Sequence, residues 1–167
     1  MSINKDMKLY VDGMGIVIYS NMAMKNVNEG EDFFKNEFFT PESVAQHIKK
    51  GDITGFCTGT GGKFNLKIRE GYPDNETEKQ FPVSIRLAID VRGNIVSIID
   101  LAWLTEWSND VPEMQQIIVE EGIYHLTILT CKPKSGIWGD DQDIYIYFNR
   151  LKNMPELSWD GVPQLFF

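Results

Sequence analysis

Between Phe81 and Val91 the chain alternates without a break. Phe81, Val83, Ile85, Leu87, Ile89 and Val91 fall on one face, and Pro82, Ser84, Arg86, Ala88 and Asp90 on the other. A period of two puts successive side chains on opposite sides of a pleated strand, so one face can enter a core while the other meets water. Phe64, Leu66 and Ile68 oppose Asn65, Lys67 and Arg69 in the same way, and Ile144, Ile146 and Phe148 oppose Asp143, Tyr145, Tyr147 and Asn149. One-sided burial predicts antiparallel pairing, because parallel strands are covered on both faces and read as continuous apolar runs. The expected fold is mostly β, an antiparallel β-sandwich.

Glycine-containing turns punctuate these runs. Arg92-Gly93-Asn94 separates Val91 from Ile95, and Glu120-Glu121-Gly122 separates Ile117-Ile118-Val119 from Ile123–Cys131. A glycine at such a place takes the positive φ of a tight hairpin. Asp12-Gly13 marks a turn or bulge within Lys8–Tyr19. Pro112–Glu121 has a proline suited to a first helical position, but the β-branched Ile117-Ile118-Val119 favours a strand. One helix is expected over residues 41–50. Thr40 is its N-cap, Pro41 its first residue, Gly51 its stop, and Val44, Ala45 and Ile48 its apolar stripe. His47 is placed on its exposed side.

The segments 21–39 and 71–80 read as loops. Residues 101–114 have room for a short helix, and 150–167 read as a tail with Trp159 and a Leu-Phe-Phe end, laid across the domain. A length of 167 residues, without repeats or low-complexity stretches, fits one domain over residues 1–167.

Charge narrows the partners. Sixteen Lys and Arg face twenty-four Asp and Glu, a net charge of −8. Nucleic acids and anionic membranes demand clustered cations, so neither is an expected partner. No apolar run approaches the roughly 18 residues of a membrane span, and the N-terminal residues show no apolar signal core. The expected location is the cytoplasm, where Cys57 and Cys131 stay reduced.

A catalytic centre finds no support. Gly59-Thr60-Gly61-Gly62-Lys63 is not a phosphate loop, because Cys57 stands where the motif needs its first Gly and Phe64 where it needs Ser or Thr. Asp140-Asp141-Gln142-Asp143 lacks the alternation, the glycine and the distant Glu of a calcium loop. His125 and Cys131 lie six strand residues apart, roughly 20 Å. Cys57 with His125 across strands is the remaining nucleophile and base pair, and it ranks last for want of a second activating group. No catalytic residue, metal site or cofactor is expected.

The negative charge is uneven. Residues 1–100 carry 12 basic and 14 acidic side chains, whereas residues 101–167 carry 4 basic and 10 acidic. Glu106, Asp110, Glu113, Glu120, Glu121, Asp140, Asp141 and Asp143 lie close in sequence to Trp107 and Trp138. Carboxylates steer a basic protein while aromatic rings anchor it, so these ten residues form the expected partner-binding surface. The alternative is a solubilising surface over core tryptophans. A ligand-binding sandwich for carbohydrate, with Trp103, Trp107, Trp138 or Trp159 as a stacking platform, is a second functional reading.

The order of features from Gly51-Asp52-Ile53-Thr54 through Phe64–Arg69, Phe81–Ile85 and Val91–Ile98 resembles the competence-associated DNA-entry nuclease inhibitors, the ComJ or Nin family. Ile118–Ile128 is similar to that family's last hairpin, and the short helix before the second strand fits as well. The likeness covers roughly residues 40–150 and consists of alternation and turns. More loosely, the chain resembles small acidic immunity proteins encoded beside bacterial polymorphic toxins. The resemblance implies a β-sandwich that binds and blocks a cognate nuclease or toxin. The 21–39 loop and the segment after Arg150 depart from the family pattern.

Overall fold

The computed structural model describes residues 2–165, and the Phe166-Phe167 end of the expected tail lies outside the described residues. Numbered in chain order, the strands are β1 (Asn4–Val11), β2 (Gly15–Ser20), β3 (Ile53–Cys57), β4 (Gly62–Glu70), β5 (Val83–Val91), β6 (Ile95–Asp100), β7 (Gln116–Ile118), β8 (Gly122–Thr130) and β9 (Gln142–Leu151). They make a five-stranded sheet in the order β1-β4-β9-β8-β5 and a four-stranded sheet in the order β3-β2-β6-β7. The mostly β, two-sheet architecture is the one expected.

The pairing differs in one place. β4 and β9 run parallel, Phe64 beside Gln142 through Glu70 beside Phe148, while the other strand pairs are antiparallel. Both strands of this parallel pair nevertheless alternate, because only one of their faces is buried. The antiparallel β2 is buried at all six positions. Continuous apolarity therefore tracks double-sided coverage, not strand direction.

The turns are also wired differently. The short connections after β1, β3, β5 and β7 each leave one sheet and enter the other. Gly93 takes φ +72° and Gly122 φ +150°, but their turns are crossovers between sheets, not hairpins. A positive-φ glycine permits a tight reversal; it does not choose the strand's pairing partner.

Two apolar layers result. Between the sheets lie Leu9, Ile16, Ile18, Phe56, Phe64, Leu66, Ile89, Ile98, Leu126, Ile146 and Phe148, with their neighbours. On the outer side of the four-stranded sheet, Val17, Tyr19, Ile53 and Ile99 are covered by Phe33, Phe38, Ile48, Leu104, Trp107 and Val111. The cover comes from α1 (Phe33–Glu37), α2 (Pro41–Lys50) and a 3-10 turn over Leu101–Thr105. α2 matches its expected bounds, with the Thr40 hydroxyl accepting from Ser43 N–H and Gly51 at φ +78°. α1 and α3 (Asn75–Lys79) interrupt the expected loops, each started by an aspartate, Asp32 or Asp74, that accepts from a backbone N–H three residues on. Among the described residues no helix is long and apolar enough to cross a membrane.

Candidate functional site

The expected surface does not form one patch. Glu120 and Glu121 precede β8, whereas Trp138, Asp140, Asp141 and Asp143 gather around the start of β9, beside the far end of β8. Nine extended residues separate these ends by roughly 30 Å. Glu113 lies on a flank, its carbonyl 3.4 Å from Lys5 Nζ. Glu106, Trp107 and Asp110 belong to the cover of the four-stranded sheet. Trp107 is only 1% exposed, packed 5.1 Å from Tyr19 and 5.6 Å from Phe33 by ring centroids, and its indole N–H donates to Asn109 Oδ1. It is a core side chain and offers no ring to a partner.

Cations pair with two of the carboxylates that remain, Glu120 and Asp141. Arg150 Nη1 lies 2.9 Å from Glu120 Oε2, and its Nη2 donates to the Glu121 carbonyl. Lys63 Nζ lies 3.2 Å from Asp141 Oδ1, and that bond holds the ammonium above its usual range. Asp143 accepts from Asn65 Nδ2 at 3.2 Å. The loop carrying Trp138 is pinned through Gly139, whose carbonyl accepts from Lys63 N–H, and a Cβ at Gly62 would stand 2.2 Å from that carbonyl. Only glycine permits the approach.

A denser acidic cluster appears where the sequence was read as an undifferentiated loop. Gly30 N–H donates to the Trp107 carbonyl at 2.7 Å, and Trp107 N–H donates to the Glu31 carbonyl at 2.9 Å. This short ladder ties 29–32 to 106–110, with a second tie from Asn109 N–H to the Glu29 carboxylate. Glu29, Glu31 and Asp32 thereby join Glu106 and Asp110 above the buried Trp107. Among the described residues, no Lys, Arg or His nitrogen lies within 4 Å of these five carboxylates, whereas Asp6, Glu78, Asp90, Glu120 and Asp141 all have ion-pair partners. Charge without a paired cation projects further into solvent, so this ridge presents uncompensated negative charge.

Its base is rigid. Tyr19 lies under the cover, and burial pushes its phenol up to about 12. Trp103 Nε1 donates to the Ser108 carbonyl, fixing the turn before Asn109. Phe34 and Phe39 meet edge-on at 5.8 Å beyond the Asp32 cap, and Phe39 is 67% exposed. The run Asn28-Glu29-Gly30-Glu31-Asp32 was visible in the sequence, but it sits in a half whose total charge is nearly balanced.

The nucleophile and base reading loses its geometry. Cys57 stands at the end of β3 on the outer side of the four-stranded sheet. His125 stands on the outer side of the five-stranded sheet, its Nδ1 2.9 Å from the Tyr72 hydroxyl. A sandwich core separates the two groups, so they make no nucleophile and base pair. Of the tryptophans considered as a stacking platform, Trp107 is buried, Trp103 is half-buried, Trp138 packs against the inter-sheet core and Trp159 on the tail is 44% exposed.

No protein-family model and no curated protein matches the chain. Solved structures do share its architecture of two stacked sheets. One is the crystal structure of ComJ, inhibitor of the DNA degrading activity of NucA, from Bacillus subtilis; its TM-score is 0.56 at 12% identity, covering 90% of this chain and 99% of that one. Crocagin biosynthetic gene J is another, with a TM-score of 0.51 at 12% identity, covering 88% of this chain and 98% of that one. The likeness read over residues 40–150 thus extends across nearly the whole fold.

Proposed function

We propose that this chain is a non-catalytic inhibitor, an immunity-type protein that blocks a nuclease by docking on its basic, phosphate-binding surface. The observation that carries the proposal is the ridge of five unneutralised carboxylates, displayed on a fold shared with an inhibitor of DNA degradation. A nuclease site is cationic because it holds phosphates, and an anionic ridge occupies the same field. Glu29, Glu31, Asp32, Glu106 and Asp110 would steer the encounter, with Phe39 as an apolar contact. Trp138, Asp140 and Asp141 at the start of β9 offer a second, smaller contact region.

The test uses NucA and any nuclease or toxin found encoded beside this chain's gene as probes, followed by DNA degradation and by association kinetics. The double reversal Glu31→Lys/Glu106→Lys is expected to slow association at least tenfold at low salt, with a much smaller change in dissociation. Reversal of Glu121, a residue outside the ridge, serves as the control. Inhibition unaffected by the ridge reversal at every salt concentration rejects the ridge, and no inhibition of either probe rejects the role.

A further inference from the structure

The edge of β3 is occupied by the chain's own C-terminal segment. Cys57 N–H donates to the Pro163 carbonyl at 2.7 Å, and Leu165 N–H donates to the Cys57 carbonyl at 2.8 Å, so a short parallel strand flanks Cys57 on its free side. Leu165 is 1% exposed and drops into the core between the sheets, whereas Gln164 faces solvent. The half-buried Cys57 thiol lies against this segment, its Sγ 3.8 Å from the Val162 carbonyl, and burial pushes the thiol up.

The hold is thin. Among the described residues, the bonds to Cys57 N–H and C=O are the only backbone–backbone hydrogen bonds made by the fourteen residues 152–165 that follow β9. Met154, Leu157 and Val162 rest against the outer layer, and Trp159 is 44% exposed. Segments held by few backbone bonds open at low cost relative to the whole fold, and here Leu165 supplies the main anchor.

We infer that the β3 edge at Cys57 is a strand-accepting site for an extended protein segment carrying a leucine, and that Pro163–Leu165 is its resident, displaceable occupant. The seated segment defines what the site takes. Backbone groups on either side of Cys57 bind any extended chain, and the hole filled by Leu165 selects a large aliphatic residue two positions after the carbonyl that pairs with Cys57 N–H. The occupant after displacement is a strand of a partner protein with that spacing. The inference is independent of the carboxylate ridge.

Thiol labelling of the full chain tests it. In a Cys131→Ser background, Cys57 is the sole thiol and reports whether the segment is seated. Its reaction with a disulfide reagent is expected to be slow, and at least tenfold faster after Leu165→Asp, since a carboxylate cannot occupy the core hole. Excess synthetic peptide of residues 160–165 is expected to restore slow labelling in that variant, and the same peptide with Asp in place of leucine is not. Fast labelling of the parent, or a rate in the variant that the peptide leaves unchanged, overturns the inference. If Leu165→Asp fails to unfold cooperatively, Leu165→Ala carries the peptide arm, and the parent is labelled across a urea series. A shallow rise well below the unfolding transition supports local release, whereas a rise that only follows global unfolding overturns it.

Discussion

The imidazole of His47 ties α2 to α1 and to the turn before β3: its Nδ1 lies 3.0 Å from a carboxylate oxygen of Asp52, a residue only 3% exposed. Its Nε2 lies 3.6 Å from Glu37 on α1, and Lys50 Nζ approaches the same Asp52 at 3.8 Å. The ring packs 5.3 Å from Phe33 and 6.2 Å from Phe38. The hydrogen bond to Asp52 holds the His47 pKa above its ordinary value, outweighing the opposing effect of burial. A base held high in the folded state binds more protons there than when unfolded. Its stabilisation is therefore full below about 6.5, the ordinary histidine value, and fades as the pH rises through the raised value. Urea unfolding from pH 5.5 to 8.5 is expected to show a His47→Gln deficit of about 1–2 kcal/mol at the acid end that shrinks toward the alkaline end, the size of a hydrogen bond to a charged group. A deficit independent of pH would refute the assignment.

His125 has the opposite sign. Burial, with the nearby Arg86 guanidinium adding to it, holds its pKa below the ordinary value. Arg86 lies 5.2 Å over the Tyr72 ring and is paired with Glu78. A base held low binds fewer protons in the fold than when unfolded, so its contribution is present above about 6.5 and is lost as the pH falls through the depressed value. His125→Gln, whose amide can still meet the Tyr72 hydroxyl, is expected to lessen the loss of stability below pH 6 and to change little above pH 7. Unfolding curves at pH 5, 6 and 7.5 decide it, and an effect confined to the alkaline side would count against the assignment.

Trp107 is expected to act on stability before it acts on any partner. Truncation to Ala removes the ring that meets Tyr19 and Phe33 and costs about 3–5 kcal/mol, while Trp107→Phe costs less because part of the volume is retained. A full-length variant that unfolds at the parent's urea midpoint would return Trp107 to the surface.

How far the sequence carried these conclusions depends on which physical signal each one used. Period two located β4, β5 and β9, because one buried face per strand writes itself directly into alternation. Thr40, Pro41 and Gly51 bounded α2, because capping is a local interaction. Strand partners were not legible: Gly93 and Gly122 announce reversals, and only the global closure of two sheets decides that the chain changes sheet there. The acidic surface was misjudged for a related reason. Closeness in sequence grouped Glu120 with Asp141, though a whole strand separates them, and it missed Glu31 beside Glu106, joined by a two-bond ladder through Trp107. His47 looked exposed on its helix because the covering Glu37 and Asp52 come from flanking segments.

Asp100 ends β6 and closes the turn that links the sheets. One carboxylate oxygen accepts from Asp12 N–H at 2.7 Å, and the other from Gly13 N–H at 2.9 Å and Ala102 N–H at 3.1 Å. A Cβ added at Gly13 would stand 2.9 Å from that second oxygen and 2.5 Å from Ala102 N, so the carboxylate and the turn fit no larger neighbour. Asp100→Ala leaves three backbone donors without this acceptor, at about 1–3 kcal/mol for those that cannot reach water. Asp100→Asn keeps one acceptor oxygen and turns the other position into a donor facing donors, so it is expected to recover little of the loss. Urea midpoints of the two variants, with exchange rates of the Asp12 and Gly13 amides, check this. Rapid exchange at both amides with an unchanged midpoint would confine the effect to the turn, and protection equal to the parent's would show that Asp100 does not hold it.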